Sequence, residues 1–270
     1  MSTAYSAPRG TAVITGSSSG IGKVYAERLA ARGHDVVLIA RREDRLREIA
    51  ADLEERFAIK ADILAADLST TAGVAAVADR IKNDPAATML VNNAGFSMLK
   101  PLAETPEDVI ASMIALNVNA LTSLSKTALV SFKAKGGGTI INVGSAAGFA
   151  PYPGIPVYAA TKAYVYLFTQ SLQSEVAGTG VRVQLVLPGA VVSEGWDVAG
   201  GADLEPLPAS VVMTTEDCVD AALKGLDQGE LVTAPSLHVE KLLHDYEAGA
   251  GTLLQKMFDA KPARRYGLCR

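Results

Sequence analysis

The sequence predicts an α/β fold built on one doubly wound parallel sheet of about seven strands, with helices on both faces. Two observations carry this prediction. Short apolar runs without polar alternation recur from residue 11 to about residue 190, as expected for strands covered on both faces. Segments with helical periodicity separate these runs, and repeated β-α-β units with right-handed crossovers build a parallel sheet.

The apolar runs give the strands in order. The predicted strands are Ala12–Thr15, Val36–Ala40, Ile63–Ala65, Met89–Val91, Thr139–Val143, Val183–Leu187 and a short one at Leu231–Ala234. Between the second and third strands an apolar stripe indicates a helix, with spacing i, i+3, i+4, i+7 and i+11. Its members are Leu46, Ile49, Ala50, Leu53 and Phe57. Thr105–Asp108 predicts another helix start, with threonine as N-cap and proline in the first turn.

No linker divides the chain, so we predict one catalytic domain over residues 11–270, preceded by a flexible N-terminus at residues 1–10. Residues 193–210 are rich in glycine, proline and acidic side chains and carry no periodicity, which favours a substrate lid. Thr215–Gln228 is predicted to be helical, and residues 237–270 to form a C-terminal, mostly helical extension.

The composition indicates which classes of partner the protein binds. The net charge of −4 provides no basic field for nucleic acid, so a small molecule is the expected partner. We find no signal peptide and no apolar stretch long enough to span a bilayer, which predicts no membrane partner. Two cysteines, Cys218 and Cys269, lack metal or redox spacing, and the three histidines are scattered. We therefore expect no metal site and a cytoplasmic location.

A glycine-rich turn follows the first strand, and a helix follows the turn. Glycines there permit a tight strand-to-helix turn, let backbone N–H groups approach a pyrophosphate, and let the helix pack close to the sheet. An ordinary glycine/serine loop is the alternative, but the position at the first β-α turn favours a Rossmann-like dinucleotide site. The predicted cofactor contacts in this turn are Gly16, Ser18, Ser19, Gly20, Ile21 and Gly22.

The end of the second strand indicates which dinucleotide binds. Ala40 stands where an acid would bind the ribose 2′-hydroxyl of NAD(H), and Arg41 and Arg42 follow. Guanidinium groups match a 2′-phosphate, so the sequence favours NADP(H), with Arg41 as the first candidate and Arg42 as the second. Alternatively, the two arginines only solvate a helix start, with Glu43 and Asp44 as local partners.

Two side chains, Tyr158 and Lys162, lie four positions apart on a predicted helix that continues to about Ala177. Positions i and i+4 share a helix face, so the ammonium can favour the phenolate and make the phenol a usable acid–base. Ser145 follows the fifth strand at the carboxyl edge of the sheet, where it can bind a substrate oxygen. Asn117 lies within an apolar helix, where an amide needs partners.

The glycine spacing T-G-x-x-x-G-I-G resembles that of the short-chain dehydrogenase/reductase family, and the other motifs above match that family in order over residues 11–193. The resemblance implies that Asp67 and Leu68 contact adenine, although Asp67 is equally suited to a turn with Ser69. It implies that Asn93, Ala94 and Gly95 line the adenosine ribose. On the nicotinamide side it implies contacts from Pro188, Gly189, Val191 and Ser193, where the family often has a threonine.

The resemblance also assigns roles to the catalytic residues. Tyr158 would exchange a proton with the substrate oxygen, Ser145 would steady that oxygen, and Lys162 would hold the nicotinamide ribose. Asn117, with Asn119 as a competing match, would bind a water that links the lysine to solvent. The implied reaction is hydride transfer between nicotinamide and a carbonyl or secondary alcohol, with reduction favoured by NADPH.

Substrate residues are expected in loops at the carboxyl edge, where aromatic side chains would suit an apolar ketone or aldehyde. The candidates are Phe96, Phe149, Tyr152, Pro153 and Trp196. Family analogy further implies a homodimer or homotetramer formed through the tyrosine-bearing and asparagine-bearing helices. A non-catalytic NADP(H)-binding sensor is the main alternative, and an epimerase or dehydratase on a related scaffold is another; the intact Ser145, Tyr158 and Lys162 argue against the sensor.

Overall fold

The computed structural model describes residues 10–151, 154–192 and 207–268. The chain divides into two compact units, Met1–Ser236 and Leu237–Arg270. Several predictions fall outside the described residues: those for the flexible N-terminus before residue 10, and most of the proposed lid. The site candidates outside them are Tyr152, Pro153, Ser193 and Trp196.

The first unit is built on a seven-stranded sheet in which every neighbouring pair is parallel, which confirms the predicted fold class. Its strands are β1 (Thr11–Thr15), β2 (Asp35–Ala40), β3 (Ala61–Ala65), β4 (Ala87–Asn92), β5 (Gly138–Val143), β6 (Val181–Val186) and β9 (Val232–Thr233). The order is β3-β2-β1-β4-β5-β6-β9. The strand order reverses between β1 and β4, and open α/β sheets bind ligands at that crevice.

Seven described α-helices belong to the first unit, and one belongs to the second. The first seven are α1 (Gly20–Ala31), α2 (Glu43–Phe57), α3 (Thr71–Asn83), α4 (Glu107–Ile114), α5 (Leu121–Ala134), α6 (Pro156–Glu175) and α7 (Thr215–Gln228). The second unit contains α8 (Lys241–Met257). A π-helical turn, Ala115–Ala120, joins α4 to α5, and such turns occur frequently at functional sites.

The strands bury both faces, because successive side chains of a strand point to opposite sides of the sheet. Ala12 and Ile14 of β1 pack in a core with residues of α1, α2 and α7, whereas Val13 between them packs with residues of α3, α5 and α6. Helices therefore cover both faces of the sheet, as the continuous apolar runs predicted.

A two-stranded parallel pair was not predicted. It consists of β7 (Ala190–Val191) and β8 (Val212–Met213), and it joins the chain before residue 193 to the chain after residue 206. The amide of Val192 extends the pair by donating to the carbonyl oxygen of Met213 at 3.0 Å. Runs of two residues are too short to show strand alternation in a sequence.

Two details differ from the sequence predictions. The Thr105 hydroxyl donates to the carbonyl oxygen of Pro101 at 3.0 Å, so Thr105 does not cap α4, and no side chain caps that helix start. By length and composition, the helical run Glu107–Ala134 is apolar enough to cross a membrane, although no such stretch was expected. Core helices of water-soluble proteins meet the same criterion. Leu124, Ala128 and Phe132 of this run pack in the sheet core, which explains its composition.

Candidate active site

The turn between β1 and α1 is tightly packed and leaves a helix N-terminus available to an anion. Gly16 has a φ of +69°, a conformation that favours glycine. A Cβ atom on Gly22 would overlap the carbonyl oxygen of Gly16, so the helix approaches the turn too closely for any side chain there. The first turn of α1 contains no acidic residue, which leaves its positive end free of a competing carboxylate.

Thr15 and Asn93 fasten this turn to the end of β4. The Thr15 hydroxyl accepts hydrogen bonds of 3.0 Å from the amides of Asn93 and Ala94. The Asn93 side chain donates in return to the carbonyl oxygens of Thr15, at 3.0 Å, and Gly16, at 3.3 Å. Asn93 and Ala94, which were predicted to line the adenosine ribose, thus hold the glycine turn in place. Sequence reasoning missed Thr15, whose position as the last residue before Gly16 was the available signal.

Arg42 lies against the glycine turn. Its guanidinium donates to the Ser18 hydroxyl at 3.0 Å and to the Ser19 hydroxyl at 3.1 Å. Three groups that can bind a phosphate, one guanidinium and two hydroxyls, therefore meet at the N-terminus of α1. Glu43, an alternative partner suggested by the sequence, forms an ion pair with Arg47.

Asp67 and Leu68 follow β3 on the same edge of the sheet. The Asp67 carboxylate accepts from the Ser69 amide at 2.9 Å and from the Ser69 hydroxyl at 2.7 Å, which is the turn geometry considered as an alternative. These bonds hold the pKa of Asp67 below its usual value, and the charge of Arg41 acts in the same direction. The carboxylate is exposed, whereas the Leu68 side chain is buried in the core.

Ser145, Tyr158 and Lys162 come together at the carboxyl end of β5. The hydroxyl of Ser145 lies close enough to the Tyr158 phenol to act on its pKa, and it accepts a hydrogen bond from the Ala147 amide at 3.2 Å. The Lys162 ammonium donates to the carbonyl oxygen of Val143 at 2.9 Å and lies 5.7 Å from the centre of the Tyr158 ring. The predicted catalytic residues therefore form one cluster.

Burial affects the two titrating groups in opposite directions. It raises the pKa of the Tyr158 phenol, and the nearby Ser145 hydroxyl opposes that increase. It lowers the pKa of Lys162 from the usual 10.5 to about 8, because a buried ammonium loses hydration. Lys162 is therefore charged at neutral pH and close to its titration range.

The π-helical turn carries Asn117, which is 2% exposed. Its side chain accepts from the Phe96 amide at 3.1 Å and donates to the Phe96 carbonyl oxygen at 2.9 Å. It donates also to the Thr161 hydroxyl, at 3.1 Å. Both N–H groups of this amide and its oxygen bond to the backbone of Phe96 and to helix α6, so the side chain joins the two.

The turn after β6 lies beside Ser145, because the amide of Ala146 donates to the carbonyl oxygen of Pro188 at 2.8 Å. Gly189 follows, and Val191 is buried in β7. Among the aromatic candidates, Phe149 makes an edge-to-face contact with Tyr166, with ring centroids 5.0 Å apart, so part of its surface belongs to the core.

In the part of the chain that the structure describes, no group of three histidine, cysteine or acidic side chains could hold a metal ion. The cluster itself offers a phenol, a hydroxyl and an ammonium for proton chemistry. Together with the anion-binding turn on the same sheet edge, these groups suit transfer of a proton to or from an oxygen beside a bound dinucleotide.

Comparisons with known proteins agree with this arrangement. Residues 10–199 match the family model of the short chain dehydrogenases. The chain is 38% identical over 184 residues to the very-long-chain 3-oxoacyl-CoA reductase of Rattus norvegicus, a match that covers 66% of this chain and 58% of that protein. The chain thus spans less than two thirds of that relative's length.

Two solved structures are similar over almost the whole chain. A short-chain dehydrogenase from Sphingobium yanoikuyae in complex with NADPH is 41% identical, with a TM-score of 0.90 and coverage of 94% of this chain and 98% of that one. The bulky-bulky ketone specific alcohol dehydrogenase from Comamonas testosteroni is 37% identical, with a TM-score of 0.87 and coverage of 95% and 98%. The chain therefore belongs to the short-chain dehydrogenase family of oxidoreductases.

Proposed function

We propose that this protein is an NADP(H)-dependent oxidoreductase that reduces a ketone or aldehyde to an alcohol, with Tyr158 as the proton donor. One observation carries the proposal: the Tyr158 phenol lies in one cluster with the Ser145 hydroxyl and the buried Lys162 ammonium, which is 5.7 Å from the centre of the phenol ring. A non-catalytic cofactor sensor would need the glycine turn but not this cluster.

The residues of the glycine turn fit NADP(H). The N-terminus of α1 would bind the pyrophosphate, because its first turn is free of acids and its glycines admit close approach. The guanidinium of Arg42 and the hydroxyls of Ser18 and Ser19 would bind the 2′-phosphate. We therefore place Arg42 ahead of Arg41 as the phosphate-binding arginine. The NADPH complex of the Sphingobium relative supports this choice of cofactor.

When bound, NADPH would supply a hydride to the substrate carbonyl carbon. Tyr158 would donate its phenolic proton to the carbonyl oxygen, and Ser145 would donate a hydrogen bond to the same oxygen. The ammonium of Lys162, held at the Val143 carbonyl, would stabilise the phenolate that remains. Because the pKa of Lys162 is about 8, that charge is present at neutral pH.

The substrate is proposed to be an apolar carbonyl compound. The half-buried Phe96 and Phe149 follow the ends of β4 and β5, so they border the edge of the sheet that carries Ser145. The names of the relatives point the same way, because they include a reductase of 3-oxoacyl-CoA and a dehydrogenase of bulky ketones.

The test is a panel of aliphatic and aromatic ketones, aldehydes and secondary alcohols, assayed by the absorbance of reduced nicotinamide with NADPH and NADH. NADPH-dependent reduction of at least one carbonyl class, with a lower KM for NADPH than for NADH, is expected. Binding of NADPH without turnover of any member would instead support the sensor.

We also propose a homo-oligomer formed through the outer faces of α5 and α6. Val130 on α5 is 64% exposed and Leu167 on α6 is 63% exposed, so both helices present an apolar side chain that an interface would bury. The Thr122 hydroxyl and the Tyr164 hydroxyl, 2.9 Å apart, join these helices.

We also propose a cytoplasmic location. The buried Cys218 is unpaired, which is compatible with a reducing compartment.

A further inference from the structure

We propose that Thr161, a residue without contact to the reacting atoms, is a positioning residue for the catalytic cluster, on which it acts through Asn117. This role rests on the proposed function, because it concerns the geometry of Tyr158 and Lys162 in that reaction. The observation behind it is one hydroxyl that joins the helix of the catalytic pair to the π-helical turn.

The Thr161 hydroxyl has a defined direction. It donates to the carbonyl oxygen of Tyr158, in its own helix, at 2.8 Å. A hydroxyl has one proton, so the oxygen must act as acceptor toward the Asn117 amide, which donates to it at 3.1 Å. Thr161 is 4% exposed and Asn117 is 2% exposed, so water cannot readily replace either bond.

Asn117 connects Thr161 to the segment that follows β4. Its amide also makes both hydrogen bonds to the backbone of Phe96, at 3.1 and 2.9 Å. A Cβ atom on Gly95 would lie 3.0 Å from the Asn117 side-chain oxygen and 3.8 Å from the Lys162 nitrogen. The amide and the ammonium therefore flank the same glycine, at the cofactor side of the sheet.

Loss of the Thr161 hydroxyl would leave one N–H of the buried Asn117 without an acceptor, which is costly unless the amide rotates. Rotation would break its paired bonds to Phe96 and change the spacing between Gly95 and Lys162. Misplacement of groups that must align for reaction reduces kcat far more than it reduces binding. The expected defect is therefore in kcat, with little change in affinity for NADPH.

The chain offers a matched control in the same helix. The Thr169 hydroxyl donates to the carbonyl oxygen of Val165 at 2.6 Å and accepts from the side-chain amide of Asn142 at 3.1 Å. Thr169 is 0% exposed. It thus repeats the bonding pattern of Thr161, one helix-backbone carbonyl and one buried asparagine, about two turns beyond Lys162. Thr169→Val removes the same kind of bonds from Asn142, whose side chain bonds to Asn92 and Ser125 rather than to Tyr158 or Lys162.

The experiment compares Thr161→Val, Thr161→Ser and Thr169→Val with the wild-type protein, using the best carbonyl substrate of the panel. We expect Thr161→Val to lose at least tenfold in kcat, with KM and Kd for NADPH within threefold of wild type. Thr161→Ser keeps the hydroxyl and should retain at least half of kcat. Thr169→Val should melt at a lower temperature but keep kcat within twofold.

Several results would overturn the role. These are a Thr161→Val kcat within twofold of wild type, equal kcat losses in Thr161→Val and Thr169→Val, or no rescue by serine. Should Thr161→Val fail to fold, Thr161→Ala is measured against the same criteria. A wild-type protein that binds NADPH and reduces no carbonyl would instead refute the proposed function, and this role with it.

Discussion

The Lys162 ammonium donates a 2.9 Å hydrogen bond to the carbonyl oxygen of Val143, two residues before Ser145. This bond joins helix α6, which carries Tyr158, to the end of strand β5, which leads into Ser145. It keeps the buried charge solvated by a backbone dipole while holding it 5.7 Å from the phenol ring. The bond between Lys162 and Val143 thus fixes the position of the ammonium relative to the Tyr158 ring.

The first prediction concerns pH. Lys162 has a pKa of about 8, so its charge is present below that pH and is lost above it. Because that charge stabilises the phenolate left by proton donation, kcat for carbonyl reduction should fall as pH rises through about 8. Measuring kcat between about pH 6 and 10 at saturating NADPH tests this dependence. A profile that stays flat to the upper end would contradict the role of the lysine charge.

The second prediction concerns stability. Burial lowers the pKa of Lys162 below its unfolded value of 10.5, so the unfolded chain binds this proton more tightly. The charged lysine therefore destabilises the fold below about pH 8, and this penalty disappears as pH rises from about 8 to the unfolded value. Lys162→Met should raise the free energy of unfolding at pH 7 by roughly 1–3 kcal/mol, after subtraction of the lost bond to Val143.

Urea unfolding of wild type and Lys162→Met at neutral and alkaline pH measures this difference. The gain should shrink near pH 10, where Lys162 is neutral in folded wild type and most of the penalty for burying its charge is gone. A variant less stable than wild type at neutral pH would show that Lys162 stabilises the fold, contrary to this prediction. Activity should fall by about 100-fold in the same variant, which separates its effect on stability from its effect on catalysis.

The third prediction concerns the choice of nicotinamide cofactor. Arg42→Ala should raise the Kd for NADPH by about 10- to 100-fold and leave the Kd for NADH nearly unchanged, because only NADPH carries the phosphate. Arg41→Ala is the matched control and should have the smaller effect, since it is Arg42 that contacts Ser18 and Ser19. Fluorescence titration with both cofactors measures this. Equal losses for NADPH and NADH in Arg42→Ala would refute phosphate binding.

The fourth prediction concerns the glycine turn. A methyl group at Gly22 would collide with the backbone of Gly16, so Gly22→Ala should destabilise the protein by about 1–3 kcal/mol and weaken NADPH binding. A methyl group at Gly249 in helix α8 would meet no neighbouring group within 4 Å, and Gly249→Ala should stabilise that helix by about 0.5–1 kcal/mol. Thermal melts and NADPH titration of both variants compare them. Equal changes in melting temperature and NADPH affinity in the two variants would contradict the predicted collision at Gly22.

Much of the site followed from local sequence patterns. Tyr158 and Lys162 share a helix face because they are four positions apart, and Ser145 lies at the sheet edge because it follows a buried strand. The contact between Asn117 and Thr161 could not be predicted, since it joins residues 44 positions apart through the packing of two helices. The arrangement of Arg41 and Arg42 depends on how α2 begins, which consecutive arginines do not reveal.

The most direct measurement is the turnover of Tyr158→Phe, which removes one oxygen from the proposed proton donor. We predict that NADPH-dependent carbonyl reduction falls by about 1,000-fold or more, while the Kd for NADPH stays within threefold of wild type. A Tyr158→Phe protein that reduces the same carbonyl at the wild-type rate would contradict the account, because the substrate oxygen would then take its proton from another group.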